Sequence, residues 1–378
     1  MHQCAVLFLR VVVHRRTTQP SSGPARARPP WREGGGGIVS AEDTPTGLPV
    51  LLLHNLDPTW APSDIDEVLQ EVDRLEAALR SQGHPVTSVA VQDANLADQL
   101  RDYHPHDYVV LNWCEELAGL PRSDVLVAEI LEQHYFTYTG STPEVLALSW
   151  DKPRAKQLLA DRGVPTPRWQ VFHSPHSDGW DCFPAIVKPA REHSSLGVTA
   201  EAVVLNRREL EERVAHVLET FQQPALVEDF IDGREFHVSL WGDGCPHLLP
   251  PAEMDFTAFN DVRDRLCTYD SKFRPGSRHY DQIQLRLPAP LGEAEYTELE
   301  RVAFAAYRAL GCRDYGRLDI RMRDGVFYVL DVNPNPDICA DTSTAYAAEA
   351  AGYSYGAMLS RLVGFAARRH PVFGSRRH

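Results

Sequence analysis

The sequence predicts an open α/β domain at the N-terminus, followed by a larger region in which strands and helices mix. Three observations point there. Residues 48–112 alternate apolar strand and amphipathic helix, the pattern of a parallel sheet. Residues 316–330 read as two strands joined by a Gly-containing turn, which is a hairpin. With 378 residues the chain has room for two or three small domains with ample core.

Taken in order, residues 1–47 look foreign to the rest. They carry six arginines, a Pro/Ser/Ala/Arg stretch at 20–30 and Gly34-Gly35-Gly36-Gly37. The apolar run 5–13 is broken by Arg10 and lacks a convincing cleavage site. A disordered extension, or an upstream start codon chosen in error, is expected, with a basic targeting peptide as the alternative. The α/β domain spans 48–145: a buried-type strand at 48–54, a helix at 64–82 ended by Gly83, strands at 86–91 and 108–112, and a helix at 126–133. Tyr138-Thr139-Gly140-Ser141-Thr142-Pro143 is a turn that offers a cap to a helix at 144–150.

A second unit is expected at 146–240. Its helix at 152–162 stops at Gly163-Val164-Pro165, and its strand at 183–189 delivers Lys188. The polar loop Arg191-Glu192-His193-Ser194-Ser195-Leu196-Gly197-Val198 has the hydroxyls and glycine to close over phosphates, although S-S-x-G also occurs in ordinary turns. An apolar strand at 225–228 ends in Glu228, and another runs through 236–241. Glu235 between them suits ribose hydroxyls or a solvated strand edge equally. In a third unit, 241–368, the segment 268–280 holds Lys272 without periodicity, the makeup of an ordered loop or lid. Residues 345–368 read as an alanine-rich helix, and 369–378 as a tail.

The hairpin carries the chemistry. Pairing its strands brings Asp319 near Asp331 and Asn333, three oxygen donors at one end of a sheet. Such hard ligands suit Mg²⁺ shared with nucleotide phosphates. Arg317 beside them is a forked cation suited to an anionic intermediate. R-x-D or D-x-N alone reads as surface carboxylates; both together behind an apolar strand favour a metal site. Lysine usage adds to this. Of 38 basic residues only Lys152, Lys156, Lys188 and Lys272 are lysine, so the retained lysines are candidates for phosphate contacts. Lys156, four positions after Lys152, reads as an ordinary helix-surface residue.

A net charge of −14 argues against a general nucleic-acid or anionic-membrane binder, and no apolar run approaches the ~20 residues of a membrane span. Cysteines at 4, 114, 182, 245, 267, 312 and 339 are scattered, with no C-x-x-C pair. That usage indicates reduced thiols in the cytoplasm and argues against zinc binding.

From Tyr138 to about Val363 the chain resembles the ATP-grasp superfamily, specifically its D-alanine–D-alanine ligase branch. The motifs stand in the family's order: YTGS, DK-x-x-x-K, VKP-x-x-E-x-SS-x-G, VEDFI-x-GREF, Y-x-x-K, GRLD and D-x-NPNP. The resemblance implies an α/β and α+β protein, with the N-terminal α/β domain followed by an ATP-grasp fold of two α+β lobes that grip ATP. It implies that Lys152 and Lys188 contact phosphates and that Ser194 and Ser195 lie in the loop covering them. Glu228 and the backbone of Asp229, Phe230 and Ile231 would meet adenine, Glu235 the ribose, and Lys272 a phosphate. Asp319, Asp331 and Asn333 would hold two Mg²⁺, with Mn²⁺ as a substitute. Arg317, Ser194 and Lys272 are the catalytic candidates. The implied reaction activates a carboxylate as an acyl phosphate, which an amine then attacks. The implied partners are small amino-acid or hydroxy-acid substrates, with a homodimer as the oligomer.

The departures from the family cluster where amino acids bind. The family's Gly-rich turn with its ammonium-gripping glutamate is His54-Asn55-Leu56-Asp57-Pro58-Thr59-Trp60 here. Its H-G-x-x-G-E-D-G segment is Asn112-Trp113-Cys114-Glu115-Glu116-Leu117-Ala118-Gly119, in which Glu115 or Glu116 is a candidate ammonium receiver or a solvated helix acid. Pro334-Asn335-Pro336-Asp337-Ile338-Cys339-Ala340-Asp341-Thr342-Ser343 replaces the loop that receives the second substrate. Phe273 stands where the lid tyrosine is common and goes with tolerance of a hydroxy acid. The expectation is therefore a D-alanine–D-alanine ligase-like enzyme with an open substrate pair. The alternatives are a ligase for other acids in a specialised pathway and a non-catalytic nucleotide-binding regulator.

Overall fold

The computed structural model describes residues 46–374 apart from Ser177, Asp178 and Ser194, and for Lys272 and Phe273 the backbone only. The expectations for 1–45, Ser194 and 375–378 lie outside the described residues.

The first sheet is parallel throughout. Val50–Asn55 lies between Val86–Val91 and Val109–Trp113, and Thr137–Tyr138 adds to the far edge. A central parallel strand is covered on both faces, which is why VLLL reads as one apolar run. Leu51 and Leu53 pack with Val89 and Leu131 on one side; Val50 and Leu52 pack with Val68 and Leu75 on the other. Those last two belong to the helix Pro62–Ser81, whose Val68, Val72, Leu75 and Leu79 form its buried stripe.

The chain's end returns to this domain. Met358, Leu359, Leu362 and Val363 of the helix Tyr355–Ala367 share one core with Val50 and Leu52. The helices approach closely at Gly356, where a Cβ would stand 2.6 Å from the Ala78 carbonyl oxygen. His84 ties the contact: Nδ1 lies 3.0 Å from the Leu48 carbonyl and Nε2 2.8 Å from Ser360 Oγ. The expected helix at 345–368 is thus two, Ser343–Ala350 and Tyr355–Ala367, with Gly352 at φ +96° turning the chain between them. The expected tail is anchored at its start. Arg369 donates to Asp314, to Asp243 and to the Tyr138 carbonyl, and His370 contacts the Pro105 carbonyl.

The second sheet orders Trp169–Phe172, Ala225–Asp229, Ala185–Pro189 and Val203–Val204, all antiparallel. The helix Arg207–Phe221 covers it through Leu210, Val214 and Val217. The third runs Gln284–Arg286, Ala252–Asp255, Arg234–Gly242, Asp314–Arg323, Val326–Asn333, backed by the helix Glu293–Leu310. Since Arg234–Gly242 lies in this sheet, the third unit begins before residue 241. Both covering helices escape the sequence reading. Asn206, which caps the first by accepting from Glu209 N–H, was the available signal. Segment 268–280 holds the short helix Tyr269–Phe273 and the start of a second, Arg278–Gln282.

Candidate active site

A cleft opens between the second and third sheets, and the hairpin forms one wall. Along Asp314–Arg323, Leu318 and Ile320 enter the core, so Arg317, Asp319 and Arg321 share the opposite face. On the partner strand Phe327 and Val329 face the core. A regular strand would send Asp331 the same way. It does not, because the register slips between Asp319 and Ile320: Ile320 pairs with Val329 and Asp319 with Asp331, leaving Leu330 unpaired. This bulge switches the alternation. Val332 enters the core, Leu330 and Asp331 line the cleft, and Asn333 stands opposite Arg317.

Cations already hold two of these donors. Arg317 grips Asp319 with Nε at 2.8 Å and Nη2 at 3.3 Å, and Lys152 pairs with Asp331. Asn333 Nδ2 donates to the Arg317 carbonyl at 3.3 Å, which leaves its oxygen for a cation. Lys152 opens the helix Lys152–Asp161, with Asp151 capping it by accepting from Arg154 N–H.

The buried centre is a trio. Glu228, 1% exposed, pairs with Lys156 through one oxygen and with Lys188 through the other. Burial alone would raise the Glu228 carboxyl; the two ammonium groups outweigh it and hold the acid below its usual range. Lys156 is no surface residue. It is 2% exposed, and Nζ also donates to Thr166 Oγ1 at 2.9 Å. The signal was its spacing: i and i+4 share a helix face, so a face that points Lys152 inward buries Lys156 too.

The expected adenine segment is largely committed to the fold. Asp229 N–H donates to the Arg168 carbonyl and Phe230 N–H to the Pro184 carbonyl, while Arg323 clasps the Asp229 carboxylate. Arg321, which the sequence reading passed over, reaches the Ile231 carbonyl with Nη1 at 2.9 Å and Glu235 Oε2 with Nε at 2.7 Å. Its guanidinium lies over the rings of Phe230 and Phe256. Alternation from Arg317 and Asp319 was the available clue.

The polar loop closes another side. Ser195 sits at φ 59° and donates from Oγ to the Cys267 carbonyl. Gly197 lies at φ +75°, and a Cβ there would meet the Phe221 ring at 2.7 Å, so both conformation and space require glycine. Burial, then the Lys152 charge, push His193 down to about 4; the ring packs edge-on against Trp150. Arg122 pairs with Glu192, fastening this loop to the first domain. The backbone of Lys272 lies in the Tyr269–Phe273 helix, capped by Thr268.

The first domain meets the hairpin's end through the YTGS turn. Gly140 and Ser141 donate backbone N–H to Asp314 Oδ2 and Asn335 Oδ1, at 2.9 and 2.8 Å. Thr142 precedes the helix Pro143–Trp150 without the expected side-chain cap. Nearby, Asn55 accepts from Glu115 N–H and donates to the Glu116 carbonyl, both at 2.8 Å. Crowding by surrounding protein, then the charges of Asp337, Asp124 and Glu116, push the Glu115 carboxyl up to about 8, although the side chain still reaches solvent.

Comparison with known proteins decides the family. The profile of the D-ala D-ala ligase C-terminus matches residues 158–364, more than half the chain. The chain belongs to the D-alanine–D-alanine ligase family. This is an ATP-grasp family of carbon–nitrogen ligases. The chain is 32% identical over 306 residues to the uncharacterized protein y4sG of Sinorhizobium fredii, covering 79% of this chain and 88% of that protein. It is also 32% identical to the D-alanine–D-alanine ligase of Nitratidesulfovibrio vulgaris, over 80% of this chain and 94% of that one. The structure of D-alanine–D-alanine ligase from Bacillus anthracis complexed with ATP superposes with a TM-score of 0.66 at 20% identity, covering 86% of this chain and 99% of that one. The ATP-grasp fold is therefore established. Among the described residues no helix is long and apolar enough to cross a membrane.

Proposed function

We propose that this ligase joins a small carboxylic acid to an amine through an acyl phosphate, with ATP bound in the cleft between the second and third sheets. The observation that carries the reading is that Lys152, Lys188, Asp319 and Asp331 line that one cleft, with Arg317 clasping Asp319 and Asn333 opposite Arg317 on the paired strand. Lys152 and Lys188 supply compact positive charge for phosphates, and Ser194 and Ser195 belong to the loop expected to cover them. Lys272 is assigned to a phosphate from the neighbouring short helix. Glu235 is assigned to the ribose. Adenine would meet Glu228 and the Asp229–Phe230–Ile231 backbone, where Ile231 offers the N–H not taken by Arg168 or Pro184.

Asp319, Asp331 and Asn333 fit Mg²⁺, or Mn²⁺ in its place. Their donors are all oxygen, and Arg317 and Lys152 now compensate the two carboxylates as a dication would. Bound there, the metal would neutralise charge on the transferring phosphoryl group. Arg317, buried beside these acids, is the donor for the oxyanion formed when the amine attacks.

The substrates are small amino acids, or an amino acid and a hydroxy acid. Relatives named D-alanine–D-alanine ligase make D-alanine the first candidate. Glu115 is the acid assigned to a substrate ammonium, since it faces solvent among acids that a cation would relieve. The test is phosphate release from Mg-ATP, screened over D- and L-amino acids and hydroxy acids, with products read by mass spectrometry. Release only when acid and amine are both present supports the ligase. Tight ATP binding with no coupled release across the panel would replace it with a nucleotide-binding regulator.

A further inference from the structure

The third sheet carries a second cluster of ligating side chains beside the oxygen set, and its chemistry is different. Glu235 and His237 project from the same face of Arg234–Gly242, since Phe236 and Val238 between and after them enter the core. Cys267 arrives from the loop before the Tyr269–Phe273 helix. A carboxylate oxygen of Glu235, an imidazole nitrogen of His237 and the Cys267 sulfur all lie within 4.8 Å of one another. His237 stands directly across the sheet from Asp319, and its Nε2 is 3.9 Å from both Glu235 Oε1 and Asp319 Oδ1.

Three features distinguish this cluster from incidental proximity. Arg321 holds Glu235 Oε2, which fixes the carboxylate and turns Oε1 toward the imidazole, as an outer partner orients a metal ligand. His237 and Glu235 are 2% and 5% exposed, so both are held by packing, while Glu235 and Cys267 open onto the cleft and leave an entry path. The donor set is also soft. Sulfur with imidazole selects zinc-class ions, which bind at about 2.0–2.3 Å, so small side-chain rotations suffice to close the cluster on one ion.

We infer that Glu235, His237 and Cys267 form a site for one zinc-class divalent ion, separate in chemistry from the Mg²⁺ set of Asp319, Asp331 and Asn333. Cysteine spacing argued against zinc because it looks for paired thiols; here one thiol joins two residues of a single strand that lie about thirty positions earlier in the sequence. The ion shares Glu235 with the assigned ribose contact, so metal and nucleoside exclude each other. That last consequence rests on the nucleotide reading; the metal site does not.

Cobalt(II) tests it on the full chain with reduced thiols and no chelator. The expected result is one equivalent of cobalt with a near-ultraviolet thiolate-to-metal charge-transfer band, abolished by one equivalent of zinc chloride. C267S should lose the band, and H237Q should weaken cobalt binding at least about tenfold. Circular dichroism and thermal melting confirm that each variant is folded, and C267S, in a half-buried loop position, keeps the test usable if H237Q unfolds. Bound cobalt without the band, or an equal band in folded C267S, overturns the site. Adenosine, which lacks phosphates to chelate cobalt, should raise the cobalt midpoint in proportion to its concentration. If adenosine binds but leaves the midpoint unchanged, the sharing of Glu235 is overturned and the ion site stands.

Discussion

Asp319 and Asp331 face each other across the hairpin because Leu330 stands outside the pairing. One unpaired residue moves Asp331 from the core face to the cleft face, so the proposed metal set depends on a bulge as much as on its acids. Deleting Leu330 places Asp331 directly after the core-facing Val329, where regular alternation still sends it to the cleft, so Mg-ATP binding should persist without the bulge. Asp331→Ala should abolish that binding while leaving the bulge in place. Isothermal titration with Mg-ATP reads both, and normal affinity in Asp331→Ala would remove it from the metal set.

Arg317 and Asp331 should separate catalysis from binding. Arg317→Ala frees Asp319 from its clasp, so Mg-ATP affinity should stay within about threefold while coupled phosphate release falls about 10²–10³-fold. Equal losses in both quantities would make Arg317 a nucleotide-binding residue instead.

Lys156→Met tests the buried trio. It leaves Glu228 with one cation in place of two at a site 1% exposed, and breaking a buried pair in this way costs about 3 kcal/mol. Urea unfolding followed by tryptophan fluorescence should show the loss. A solvated surface lysine would give a change near zero.

Acid should loosen the loop around His193. The folded ring has a value of about 4 against an ordinary 6.5, so between these the unfolded chain binds more protons. Stability therefore falls as pH drops from 6.5 to about 4, by at most roughly 3 kcal/mol, and is flat above. His193→Asn should lose that part of the acid sensitivity. Unfolding midpoints compared at neutral pH and near the lower value check it; identical pH dependence in the variant contradicts the assignment.

Gly356→Val should separate the last helix from the first domain. A Cβ already meets the Ala78 carbonyl at 2.6 Å, and overpacking of this kind costs about 1–3 kcal/mol. Protection from hydrogen exchange should fall in both Tyr355–Ala367 and Pro62–Ser81.

Much of the local structure was legible in sequence. Val86–Val91 matches its expected bounds, because strict turn signals flank it, and the helix at 152–162 is shorter by one residue. The long C-terminal helix failed at Gly352: alanine propensity runs straight through a glycine whose left-handed backbone turns the chain. Lys156 failed because sequence shows that a residue is charged, never what lies opposite. Glu228 and Lys188 come from strands far along the chain, and only their arrival makes a lysine interior.

By itself the sequence determined the strand–helix alternation of the first domain, the family, and the hairpin that carries Arg317, Asp319 and Asp331, since each follows from local periodicity or an ordered set of short motifs. Tertiary structure alone decided the rest. Which face Asp331 takes depends on pairing with a strand twelve residues back. The Lys156–Glu228–Lys188 trio and the Glu235–His237–Cys267 cluster join residues that neighbour one another only after folding. Electrostatic and ligand chemistry act through ångström distances, and a linear chain specifies those only once it is packed.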